Sequence, residues 1–191
     1  IRPDCRRAGG PLEQARHPSG NPMMAQPSDR PLRLRLADAA ATERLGALIA
    51  GRLRIGDFIG LQGGLGAGKT TLMRGLVAAL PPAGAANEVV SPTFTLAQTY
   101  ETTGLMVTHM DLYRIESAEE LIELGVDEAL DLGAVVVEWS DRMPEPPEDR
   151  LVIDLTIADT DGRTAILSAF GTWCARMRGL GEAARGEGLV P

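Results

Sequence analysis

Eight consecutive residues, Gly63-Gly64-Leu65-Gly66-Ala67-Gly68-Lys69-Thr70, constrain this chain more than any other segment. They fit the pattern G-x-x-x-x-G-K-[ST], in which glycines let successive backbone N–H groups turn inward around phosphate oxygens. The helix that follows such a loop presents its partly positive N-terminus to the same anion. Lys69, the single lysine of the chain, would then reach the β- and γ-phosphates, and the Thr70 hydroxyl a Mg²⁺ that bridges them. With 22 glycines in the sequence a Gly-rich turn could also arise without any ligand, so the flanks decide. Phe58-Ile59-Gly60-Leu61 reads as a short buried strand, and Thr71 to Leu80 as an amphipathic helix with Pro81-Pro82 just beyond it. Strand, glycine turn and helix occur in the required order, and a nucleoside triphosphate is the expected ligand.

The length of 191 residues suits one domain, and 44% apolar residues in alternating strand and helix patterns point to an α/β class. With the phosphate loop, the expected architecture is a P-loop NTPase, a three-layer α/β/α sandwich with a mixed, mainly parallel central sheet. A formal charge of −7 argues against a protein that grips nucleic acid through a broad basic face. Any contact with RNA is expected to pass through a partner. Cys5 and Cys174 show neither a zinc spacing nor a disulfide framework, which is the usage of a reducing cytosol. No stretch approaches the ~20 apolar residues that cross a bilayer, and the start lacks an apolar h-region, so a cytoplasmic protein without a membrane partner is expected. Residues 1–30 are rich in Pro, Gly and Arg without periodicity and are expected to form a disordered extension; Met23 or Met24 offers an alternative start. The domain is expected over 31–178, and the Gly-rich end, 179–191, reads as a flexible tail.

Leu32-Arg33-Leu34-Arg35-Leu36 alternates with period two and reads as a strand with one wet face. Asp38 can cap the next helix, in which Leu45, Leu48, Ile49 and Leu53 form one apolar stripe. Thr95 to Glu101 and Leu105 to Met110 read as a hairpin turning at Thr102-Thr103-Gly104. Ser117 caps a short helix over Ala118 to Leu124, and Ala134 to Trp139 is a continuous apolar run suited to a central strand buried on both faces. Leu151 to Ile157 and Thr164 to Ala169 read as strands, and a short helix is expected around Trp173 to Met177.

Glu138 closes the run of valines at the carboxyl end of its strand, where open α/β sheets gather their ligands and where P-loop proteins place a metal-directed acid. A merely solvated acid is the plain alternative, and Lys69 and Thr70 tip the balance. His109-Met110-Asp111-Leu112-Tyr113-Arg114 ends another strand. Asp111 is its best candidate for chemistry, able to orient an attacking water or a metal-bound one. His109 has no cysteine or second histidine near it, so it reads as hydrogen-bonded scaffold and not as part of a structural metal site. Ser91-Pro92-Thr93-Phe94 reads by itself as an ordinary Ser-Pro turn, but it falls where nucleotide switches carry a loop that feels the γ-phosphate, and its neighbours favour that reading.

Together, Leu65 to Thr71, Ser91 to Leu96, His109 to Arg114, Glu120-Leu121 with Leu124-Gly125, and Val137-Glu138-Trp139 resemble the TsaE (YjeE) family of bacterial ATPases in order and spacing, over about Leu32 to Ala169. The resemblance implies a small P-loop ATPase, with ATP and Mg²⁺ as cofactors, required for threonylcarbamoyladenosine (t6A) modification of adenosine 37 in tRNA. It further implies that the transferase chemistry belongs to TsaD, that TsaD and TsaB are the partners, that tRNA is met only through that assembly, and that hydrolysis resets it. On this likeness Gly63, Gly64, Leu65, Gly66, Ala67, Gly68, Lys69, Thr70 and Thr71 hold the phosphates. Thr70 and Glu138 are the implied Mg²⁺ ligands, Asp111, Glu138 and Lys69 the catalytic set, and Thr42, Trp139 and Arg163 further nucleotide contacts. The family often has Asp where this chain has Gly64, and Pro where it has Ser140.

A small-molecule kinase would use the same loop, but kinases of this size usually carry an arginine-rich lid, and between Lys69 and Glu138 only Arg74 and Arg114 occur. A GTPase lacks its N-K-x-D pattern here. A nucleotide-dependent binding module with negligible turnover of its own overlaps the ATPase picture, since a P-loop protein without an arginine finger can wait for a partner to complete its site.

Overall fold

The computed structural model describes residues 30–84, 88–158 and 162–189. The extension expected over 1–30 therefore lies outside the described residues, Arg30 excepted. Seven strands form one sheet in the order β1-β7-β6-β2-β5-β4-β3. The strands are β1 (Leu32–Leu36), β2 (Phe58–Gln62), β3 (Ala97–Thr102), β4 (Leu105–Asp111), β5 (Gly133–Glu138), β6 (Arg150–Ile157) and β7 (Arg163–Ala169). The four central strands β6, β2, β5 and β4 are parallel, and antiparallel pairings with β7 and β3 flank them. Only β3 and β7 run against the other strands, so the sheet is mixed and mostly parallel, as expected.

Its two faces have separate cores. On one, α1 (Ala39–Ala50), α2 (Lys69–Ala78) and α5 (Trp173–Gly186) pack over Ile59, Leu61, Val107, Val136 and Ile153. On the other, the short helices α3 (Ala118–Glu123) and α4 (Val126–Leu132) bring Leu121, Leu124 and Val126 against Phe58, Met110, Val135 and Val137. Every residue of β5 is buried, which is why its sequence shows no alternation. Asp38 caps α1 through a hydrogen bond from the Ala41 N–H (2.7 Å), and Ser117 caps α3 through one from Glu120 (3.2 Å). Among the described residues no helix is long and apolar enough to cross a membrane.

Two sequence-based expectations need correction. The short helix expected over Ala118 to Leu124 is present, but helix α4 is absent from the sequence reading; Gly125, at φ +62°, is the N-cap from which it starts. The C-terminal helix does not stop near Met177, and 179–189 do not behave as a tail. Leu180, Ala184 and Leu189 are buried in the larger core, and Arg176 grips Asp57 with its two terminal guanidinium nitrogens (2.6 and 2.7 Å) at the entrance to β2. Tertiary burial overrides the weak helix propensity of Gly179, Gly181 and Gly186.

Helices α1 and α2 touch at glycines. A Cβ on Gly75 would overlap the Glu43 carbonyl oxygen, and one on Gly46 the Leu72 carbonyl oxygen. That approach sets the position of α2, whose first turn begins the phosphate loop's helix. Helix propensity favours alanine over glycine by about 1 kcal/mol, so Gly75→Ala discriminates between surface and contact. We expect overpacking to win and the variant to lose roughly 1–3 kcal/mol, read as a lower urea midpoint at unchanged m-value.

Candidate functional site

The loop between β2 and α2 is shaped by glycines in the left-handed region: Gly63 at φ +121°, Gly66 at +73° and Gly68 at +107°. At Gly63 a side chain would also meet the Leu155 carbonyl oxygen of the neighbouring strand. Gly68 is the N-cap of α2 and no side chain caps that helix, so its start is directed at the cleft. Gly64 differs: its φ is not positive, and a Cβ there meets nothing within 4 Å. Backbone geometry leaves room for the acid common at that position in the resembling family.

Period-two alternation brings the acids to the same face as α2. On β4 that face carries Val107, His109 and Asp111, and on β5 it carries Ala134, Val136 and Glu138. Register pairs His109 with Val136 and Asp111 with Glu138, while Glu138 also lies level with Leu61 of β2. The carboxyl ends of three parallel strands thus lie beside the loop.

Thr70, in the first turn of α2, donates its hydroxyl to Glu138 Oε1 at 2.8 Å. His109 Nε2 lies 3.0 Å from the same oxygen. Glu138 and His109 are both buried. Asp111 accepts from the Thr93 hydroxyl (2.6 Å), the Ser91 hydroxyl (3.2 Å) and the Tyr113 N–H (2.8 Å), so it ties the 91–96 loop to the end of β4. Beyond that tie Phe94 is 82% exposed, with the Arg114 guanidinium 4.4 Å from its ring centre.

Lys69 folds back on its own loop. Its Nζ donates to the carbonyls of Gly63 (2.7 Å) and Gly64 (2.9 Å) and stands 3.9 Å from the centre of the Trp139 ring. Burial lowers the pKa of this ammonium, while Glu138, Asp111 and Asp141 pull it back up. Trp139 is itself at φ +59°, a left-handed conformation uncommon for a bulky residue, and its ring lies 5.1 Å from that of Tyr113. The turn this creates buries Ser140 against Gly60, where a Cβ would clash with the serine side chain.

These groups line a cleft of about 260 Å³, walled by the loop on one side and by Ser91, Thr93, Asp111, Tyr113 and Trp139 on the other. Among the described residues no three His, Cys, Asp or Glu side chains converge as a metal site. A cation here would rest on Thr70 and Glu138 together with ligand oxygens and water, a hard-oxygen set that suits Mg²⁺. Leu65, Gly66, Ala67, Gly68, Lys69, Thr70 and Thr71 all reach the cleft; Gly63 and Gly64 shape it from behind and accept from Lys69. Thr42 is buried behind Gly68 and bonds the Asp38 carbonyl oxygen (3.2 Å), away from the cleft lining. Arg163 braces the loop, donating to the Gly66 carbonyl oxygen at 3.1 Å. The contact of His109 with Glu138 and the Ser91/Thr93 grip on Asp111 were not foreseen; the two-residue spacing of His109 and Asp111 on one strand was the signal for the first.

Comparison with known proteins agrees with this geometry. The sequence profile described as "Threonylcarbamoyl adenosine biosynthesis protein TsaE" matches residues 36–165. A tRNA threonylcarbamoyladenosine biosynthesis protein TsaE from Nostoc sp. is 38% identical over 147 residues, 74% of this chain and 88% of that one. The protein of that name from Rickettsia felis is 38% identical over 125 residues, 64% and 71% of the respective chains. The crystal structure of YdiB from Bacillus subtilis superposes with a TM-score of 0.67 at 30% identity, covering 81% of this chain and 96% of that one.

A phosphate ligand must draw Lys69 away from Trp139. Titration with ATP and Mg²⁺ is therefore expected to change tryptophan emission, and Trp139→Phe to leave it flat. A response that survives in Trp139→Phe would assign the signal to the core residue Trp173 instead.

Proposed function

The chain belongs to the TsaE family, and from that premise we propose that it is an ATP-binding, ATP-hydrolysing protein required for threonylcarbamoyladenosine modification of tRNA. The observation that carries the reading is the meeting of Thr70 and Glu138 at 2.8 Å beside the chain's only lysine. An ordinary structural turn has no use for an acid from a distant strand at that point. The relatives' shared name supplies the pathway, and the cleft supplies the chemistry.

The loop's backbone N–H groups and the start of α2 receive the triphosphate. Lys69 exchanges two neutral carbonyl acceptors for phosphate oxygens, a stronger charge-assisted pairing. Thr70 and Glu138 would hold Mg²⁺, which would supply charge neutralisation to the triphosphate. Asp111, level with Glu138 on the neighbouring strand, holds the attacking water in line. Its bonds to Ser91 and Thr93 link that water to the 91–96 loop, so that loss of the γ-phosphate alters the surface around Phe94, Tyr113 and Arg114. Homologues of TsaD and TsaB read this change, and tRNA is met only through them. The lone P-loop domain is slow until that assembly completes its site. The overall charge of −7 supports contact with RNA through partners instead of a basic face.

Phosphate release from ATP tests the reading, with and without the cognate TsaD and TsaB homologues and with Lys69→Ala as the blank. We expect stimulation by the pair and none in the blank. Turnover that appears only with a small hydroxylated acceptor would make the protein a kinase. Glu138→Ala and Asp111→Ala are expected to cut turnover by ~10²-fold or more at unchanged far-UV circular dichroism; unchanged rates would return both to a structural role.

A further inference from the structure

We propose that His109 is a positioning residue that fixes which oxygen of the Glu138 carboxylate faces the cation. This rests on the ATPase reading above and adds to it a residue that the reaction itself does not touch.

His109 is fully buried on β4, two residues before Asp111 and diagonal to Glu138 across the β4–β5 pairing. Nε2 is 3.0 Å from Glu138 Oε1, and Nδ1, equally buried, has no hydrogen-bond partner. A carboxylate only accepts, so the nitrogen facing it is the one that carries hydrogen. The opposite tautomer would aim a lone pair at the carboxylate and strand an N–H in the core, two penalties at once. Nε2–H therefore donates to Oε1.

Glu138 Oε1 then receives two hydrogens, one from His109 and one from Thr70 (2.8 Å). Both lone pairs of that oxygen are engaged. Oε2 accepts no hydrogen bond among the described residues and is the oxygen left to a cation or its water. Thr70, having given its hydrogen to Oε1, keeps its own lone pairs available to a cation. One imidazole therefore orients two metal-directed groups. A residue kept for packing alone would do better as an apolar side chain, because Nδ1 is buried without a hydrogen-bond partner in a ring whose centre is 6.5 Å from that of Tyr100.

Two amides separate this role from packing. Glutamine places a donor near the position of Nε2, whereas asparagine ends near Nδ1 and cannot reach Glu138. The readout is calorimetric binding of the non-hydrolysable analogue AMP-PNP, in EDTA and across a Mg²⁺ series. Loss of such an orienting hydrogen bond costs roughly 10–100-fold in metal affinity. We expect His109→Asn to raise the Mg²⁺ midpoint by about that factor while affinity in EDTA stays at the wild-type value, and His109→Gln to restore most of it. His109→Leu, which fills the site without a donor, should match the asparagine variant and replaces it if the latter does not fold. A wild-type midpoint in the donor-free variants, or equal shifts in Asn and Gln, would overturn the proposal. Wild-type AMP-PNP affinity that ignores Mg²⁺ would overturn the ATPase reading itself, and the role of His109 with it.

Discussion

Parallel pairing of β2, β5 and β4 decides where every charged group of the cleft stands. Parallel strands end on the same side of a sheet, and the register sets Leu61, Glu138 and Asp111 at one level. A slip of one residue would turn Glu138 to the opposite face. The valine run of β5 cannot prevent that slip, because both of its faces are apolar. Gly133 supplies the missing constraint. It pairs with Met106, and a Cβ there would overlap the Met106 carbonyl oxygen. The close start of β5 against β4 accepts a residue without a side chain, and the acid five residues later follows from it.

The electrostatics depend on that placement. Two buried acids stand near one buried lysine, yet Lys69 pairs with neither of them and rests on two carbonyls and an indole face. Each acid is satisfied by other donors: Asp111 by two hydroxyls and a backbone N–H, Glu138 by a hydroxyl and an imidazole. A tight Lys69–carboxylate pair would have to be broken by any incoming anion, at the cost of leaving a buried charge unpaired. Neutral contacts are cheaper to exchange, so this arrangement keeps the ammonium open to an incoming anion.

Much of this was legible in the sequence where local signals and tertiary outcome agree. The glycine spacing announces the loop, the alternation over Leu32 to Leu36 gives β1, and the valine run ending in Glu138 gives a central strand. Failures occur where burial decides against propensity. Helix α5 carries three glycines and still runs to Gly186, because Leu180 and Ala184 have a core to meet. His109 read as scaffold because its partner lies on another strand, and sequence shows only its own. Thr42 and Arg163 reach the loop from elements far apart in the chain; the family likeness proposed them, and no local pattern could. The structure puts Thr42 behind the loop and Arg163 against it.

The sheet order has a temporal side. Among the described residues strand β1 pairs only with β7, Leu32 lying opposite Leu167, and the helix after β7 clamps the entrance of β2 through Arg176 and Asp57. The first of the described strands is thus partnered by the last of them, and the strand that feeds the loop is secured by a helix synthesised later still. Such distant closures carry a large entropic cost before they return any contact energy, and they slow folding. On a ribosome the cleft can be outlined early, but the sheet around it closes only after β7 and α5 have emerged.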